Sequence, residues 1–148
     1  MRRTATMVVT CLLLLVATRA QAQQAGVRAG VSGDPDQFYM GAHYESSPLL
    51  DNLRFRPNVE VGFGDDVTLI AMNFEFAYSI PLKNSSWNLY VGGGPALNLY
   101  HSDGDGDAEG GFNILFGLQH ARGLFTELKI GTIDSPGVKF GVGYTFGR

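Results

Sequence analysis

Val67-Thr-Leu-Ile-Ala-Met-Asn-Phe-Glu-Phe-Ala-Tyr-Ser-Ile80 is the stretch that decides the fold. Taken at every second position, one register reads Ile70, Met72, Phe74, Phe76, Tyr78 and Ile80. The other reads Leu69, Ala71, Asn73, Glu75, Ala77 and Ser79. Successive side chains of a strand point to opposite faces, so this segment has one bulky apolar face and one small, polar face. A helix would scatter the same residues around its circumference, and the period of two predicts a strand.

The same alternation recurs outward in both directions, with turn residues between the segments. Residues 26–32, 37–45 and 53–63 precede the opening stretch, and residues 87–100, 111–119, 124–131 and 138–146 follow it. Together with the opening stretch they make about eight strands of roughly the 9–11 residues that a tilted strand needs to cross a bilayer. The expected connections are residues 33–36, 46–52, 64–66, 82–86, 102–109, 121–123 and 134–136, of which 102–109 is the most polar. The pattern predicts an all-β chain of about eight strands, an even number that lets the last close antiparallel on the first and leaves no open edge. The fold class is a closed antiparallel up-and-down transmembrane β-barrel.

The first residues belong to a different structure. Arg2 and Arg3 are followed by an apolar run over residues 7–17, broken only by Thr10, and then by Ala20-Gln-Ala22. This is a secretory signal over residues 1–22, with cleavage after Ala22 and a single barrel domain over 23–148. The run is too short for a spanning helix, which needs about 20 residues. Cys11 lies within the leader, so the mature chain has no cysteine for disulfides or a thiolate metal site. Arg2, Arg3 and Arg19 leave with it. The 8 remaining basic residues face 14 acidic ones, a net charge of −6 that argues against a nucleic-acid partner.

Which face of the sheet is inside follows from charge and volume. The bulky register carries no charged residue in any strand, whereas the small register collects Arg28, Glu45, Arg54, Arg56, Glu60, Glu75, Glu127, Lys129 and Lys139. A barrel of about eight strands has room for only a modest filling of side chains. Turning the Phe, Tyr, Ile and Leu residues inward would overpack it. The bulky face is therefore expected to meet lipid and the charges to face the lumen. Tyr44, Tyr78, Trp87 and Tyr144 fall near strand ends, where interfacial girdles sit.

With these features the sequence resembles the small outer-membrane barrels of Gram-negative bacteria, the group containing the OmpA transmembrane domain, OmpX and the opacity-type proteins. The resemblance spans the mature chain and rests on architecture. Val142, Tyr144 and Phe146 follow the terminal alternation of that group, but Gly147 and Arg148 come after them. It implies periplasmic termini and short, Asp-rich outer connections. The implied partners are outer-membrane lipid, lipopolysaccharide and, during insertion, the barrel-assembly machinery, with the protein a monomer.

Arg28, Arg54, Arg56, Glu60, Glu75, Glu127, Lys129 and Lys139 are expected to form a locked network that plugs the lumen, since buried charges persist only when paired. No catalytic, cofactor-binding or metal-binding residue is expected. Asp103-Gly-Asp-Gly-Asp107 places carboxylates at alternate positions, as a hard cation would want, but an EF-hand fails because Ala108 and Ile114 stand at its sixth and twelfth places. His101, Ser102 and Glu109 resemble the residue set of the lipid-A-deacylating barrels, whose His and Ser lie two apart on one face; here they are adjacent. His43 and His120 read as lumen or turn residues. Gly92-Gly-Gly94-Pro95 precedes no helix and reads as a site of lumen crowding or strand bending. The expected function is a non-catalytic outer-membrane protein with a structural or surface-interaction role. A lipid-modifying barrel enzyme and a soluble periplasmic or secreted barrel binding a small apolar ligand stay open beside it.

Overall fold

The computed structural model describes residues 24–148, and the leader read at residues 1–22 lies outside them. Eight strands follow in order: β1 (Gln24–Gly33), β2 (Gln37–Glu45), β3 (Leu53–Phe63), β4 (Thr68–Pro81), β5 (Trp87–Ser102), β6 (Asp105–His120), β7 (Leu124–Ile133) and β8 (Val138–Thr145). Each pairs antiparallel with its sequence neighbours, and β8 pairs with β1 to close the barrel.

The face assignment follows the residue pattern. Phe74, Phe76 and Tyr78 of the opening stretch are exposed on the outside, as are Ile114 and Phe116 of β6 and, on the opposite side of the barrel, Phe140 and Val142 of β8. Asn73, Glu75 and Ala77, which alternate with the first set, are almost fully buried in the lumen. Tyr44, Tyr78, Trp87 and Tyr144 all lie toward the end that carries the chain termini, so they form one girdle rather than two.

One boundary differs from the sequence reading. Residues 102–109 are not a loop: β5 and β6 run on to meet in a two-residue turn, with Ser102 paired to Asp105 and Asn98 to Glu109. The turn is Asp103-Gly104, with both residues at positive φ (22° and 97°), the conformation that twists with the flanking strands in a tight hairpin. At about 3.4 Å per residue, the 16 residues of β6 measure about 54 Å. Tilted by about 40°, they rise about 40 Å, more than the ~25 Å apolar band of such a barrel. The hairpin therefore projects beyond the apolar band.

At Gly94-Pro95 the ladder to β4 is interrupted. Pairing between β4 and β5 skips Phe74 and Glu75, opposite Gly94 and Pro95, where proline has no N–H to give.

Candidate functional site: the charged lumen

Alternation carries one side chain in two from every strand into a narrow lumen, and the charges there are balanced. Glu45, Glu60, Glu75 and Glu127 are buried against Arg28, Arg56, Lys129 and Lys139. Their contacts run across the barrel. Glu60 Oε2 accepts from Lys139 Nζ at 2.6 Å, while Glu60 Oε1 lies 3.0 Å from Lys129 Nζ and 3.3 Å from Arg28 Nη1. Lys129 also reaches Glu75 at 3.0 Å, and Arg28 reaches Glu127 at 3.0 Å. Asn58 donates to Glu75 Oε2 at 2.7 Å and accepts from Asn73 at 2.7 Å. Asn113 donates to Asn73 at 2.8 Å and to Glu75 Oε1 at 3.1 Å, so polar groups bridge the lumen at this level.

Toward the termini, Arg56 lies 3.7 Å from Glu127 and 3.4 Å from Glu45, with its guanidinium 4.6 Å over the Tyr90 ring and 5.1 Å over Phe125. Tyr90 donates its hydroxyl to Glu127 Oε2 at 2.7 Å. Arg54 stands at the mouth, only partly buried, 3.5 Å from Glu45 and donating to the Ser46 carbonyl. The structure thus brings seven of the eight network residues together and leaves Arg54 at the rim. Two members escaped the sequence reading. Glu45 was visible as an inward charge of β2 but not as the anchor of the mouth, and Arg148 folds back to meet it at 2.6 Å.

The lumen also holds more bulk than the small-residue register suggested. Tyr39, His43, Leu69, Tyr90, Leu115 and Phe125 all point inward. Each has a glycine as a direct cross-strand neighbour: Gly30, Gly26, Gly62, Gly117, Gly92 and Gly143 respectively. Large side chains opposite missing ones fill the narrow interior without overpacking it. A Cβ at Gly117 would run into the Tyr90 ring and hydroxyl. Gly117→Ala should therefore displace Tyr90 from Glu127 and cost about 1–3 kcal/mol, read from urea unfolding of the barrel.

The remaining sequence candidates do not assemble. His101 pairs with Gly106, Ser102 with Asp105 and Glu109 with Asn98, so His101 and Ser102 point to opposite faces of the hairpin and Glu109 lies several rungs away. Among the described residues, no three His, Cys, Asp or Glu side chains gather as a metal-binding group. His43 is a lumen residue bonded to Thr145 Oγ1 at 3.0 Å, and His120 accepts from the Arg122 amide in the turn.

Solved structures share this architecture, two of them as follows. Neisserial surface protein A superposes with a TM-score of 0.67 at 16% identity, over 83% of this chain and 94% of that one. The N-terminal β-barrel domain of Pseudomonas aeruginosa OprF gives 0.59 at 13% identity, over 84% and 97%. No family model and no curated protein matches the chain. The fold is that of the small eight-stranded outer-membrane barrels.

Proposed function

We propose that this chain is a non-catalytic outer-membrane protein whose lumen is plugged by charge, serving a structural or surface-interaction role. The observation that carries this reading is the inside-out barrel itself: a charge-free, largely apolar exterior around an interior of paired charges. In water such an exterior would be an aggregation surface, far beyond the few hundred Å² a soluble monomer exposes. In lipid it is the natural one, since a closed barrel satisfies its own backbone. The termini then face the periplasm, the Asp103-Gly104 hairpin faces outward, and the barrel stands as a monomer among outer-membrane lipid and lipopolysaccharide after insertion by the assembly machinery.

Fractionation tests this first. The protein should be found in outer membranes, with a band that migrates faster unboiled than boiled. Recovery from the soluble periplasm would overturn the reading. In planar bilayers the purified barrel should show no steady conductance, because Glu60, Glu75, Glu127, Arg28 and Lys129 occupy its cross-section. A stable ohmic channel would contradict the plug. His101→Ala and Ser102→Ala should leave membrane lipid composition unchanged, whereas a lipid-modifying enzyme would lose its product.

A further inference from the structure

At the end of the barrel away from the chain termini, one strand outruns its neighbour and keeps an open edge. Pairing between β6 and β7 stops at Gly111 and Ile133, and β6 continues from there to Asp105 with β5 as its only partner among the described residues. In a tight two-residue hairpin the flanking pair, Ser102 and Asp105, bond to each other, so the odd-numbered residues of this segment face β5. The backbone groups of Gly106, Ala108 and Gly110 consequently face the open side. The Ala108 amide is seen to do so, donating to the Asp107 carboxylate at 2.9 Å instead of to β5. Unpaired edges of this kind are templates for another strand, and proteins usually blunt them with lysine, proline or a covering loop. Among the described residues this one has no lysine, no proline and no covering loop; its only guard is acidic, the side chains of Asp105, Asp107 and Glu109. No side chain rises from Gly106 or Gly110, and nothing lies within 4 Å of a Cβ placed at Gly110.

Two neighbouring features indicate what would lie there. Every charged residue of the segment and of the turns at this end is acidic: Asp105, Asp107 and Glu109 on β6, Asp103 at the tip, Asp134 just past β7, and Asp34, Asp36, Asp65 and Asp66 in the other two turns. At the foot of the edge, Ile133 holds φ at 64°, a conformation a β-branched residue avoids, and is 80% exposed. A second copy of this chain laid edge to edge would bring acidic residues against acidic residues.

We propose that Asp105–Gly110 is a docking edge for an extended, basic polypeptide segment, which adds beside β6 as a further strand. Its backbone would pair with Gly106, Ala108 and Gly110, its lysines or arginines would meet Asp105, Asp107 and Glu109, and an apolar side chain would rest on Ile133. This is strand addition, with main-chain bonds for affinity and side chains for selection. It rests on the reading above that this end faces outward, and it names the kind of partner.

The test uses the full mature barrel in nanodiscs. The probes are a short synthetic peptide alternating lysine with valine and a glutamate–valine control, followed by fluorescence anisotropy and amide hydrogen exchange. The lysine peptide should bind and slow exchange at Gly106, Ala108 and Gly110, and the control should not. Ala108→Pro removes an N–H that β5 does not use, and should weaken binding about tenfold or more while the heat-modifiable band is retained. Replacing Asp105, Asp107 and Glu109 with their amides should do the same. Full affinity in Ala108→Pro would mean that charge alone holds the peptide, and would overturn strand addition. Absence of binding to a barrel that remains heat-modifiable would overturn the docking edge but leave the membrane reading standing. Protection that appears without peptide and grows with protein concentration would make a second copy the occupant, again overturning the proposal. Failure of the membrane reading would show separately, in fractionation.

Discussion

Replacing Glu60 with alanine should cost the barrel about 3–5 kcal/mol, the loss expected when one partner of a buried ion pair is removed and its mates are left uncompensated. Glu60 is the carboxylate shared by Lys139, Lys129 and Arg28, and its side chain is 1% exposed. Lys129 keeps Glu75 and Glu127, and Arg28 keeps Glu127. Lys139 has no second carboxylate among the described residues and is left against the Tyr39 ring, 5.0 Å away. The measurement is urea unfolding in micelles, followed by the cold-gel mobility shift and by Trp87 emission. Two further variants separate the causes. Glu60→Gln keeps the volume and removes the charge, and should lose nearly as much. Glu60→Gln with Lys139→Met removes the orphaned cation as well, and should recover a large part of the loss, because a neutral pair needs no desolvated partner. A Glu60→Ala cost below about 1 kcal/mol would mean that these ions are screened as they are at a surface, and a plug of locked ion pairs would be the wrong description.

The same residue explains how far the sequence could be read. Period two gave the strands, and the absence of charge from the bulky register gave the inside. The pairing partners could not follow, because most ion pairs here join strands that are not neighbours in the sheet; Glu45 on β2, met by Arg54 and Arg56 of adjacent β3, is an exception. Lys129 and Lys139 are direct cross-strand neighbours of like charge, tolerable only because Glu60 reaches both from β3 on another wall. Arg56 and Glu75 are cross-strand neighbours of opposite charge, yet Arg56 turns to Glu45 and Glu127 while Glu75 turns to Lys129. Which wall faces which depends on the stagger of the closed sheet, a quantity that hydrophobic alternation does not encode.

The β5–β6 hairpin was missed for a related reason. Above the apolar band both faces of a strand meet water, so the greasy register ends and residues 102–109 look like a loop. The remaining signal was Asp103-Gly104, a dipeptide suited to the tight hairpin turn, but it lay among other Asp and Gly residues that read equally well as a solvated loop. The bulky lumen residues had a signal too. Tyr39, Tyr90 and Phe125 stand in the polar register, and glycines of adjacent strands sit opposite them once the register is known.

Phe74→Arg tests the other half of the design. Phe74 is the seventh of the 14 residues of β4, outward-facing and paired to Pro57, so a barrel that spans lipid holds it near mid-bilayer. Arginine there should cost about 2–4 kcal/mol, because its charge must reach through hydrocarbon to a headgroup or draw water inward. Ile80 points to the same side but lies near the end of β4 that carries the girdle, and Ile80→Arg should cost only about 0–1 kcal/mol. The pair of values matters more than either alone. A depth-dependent penalty requires a slab of low polarity around the barrel, and nothing in a soluble protein distinguishes the middle of an exposed strand from its end in that way. Were the outer face wet, both substitutions would cover apolar surface with charge, both would be near neutral, and Phe74→Arg would make the protein more soluble. Unfolding free energies in bilayers for the two variants therefore separate lipid from water as the solvent of this face, without knowledge of any partner.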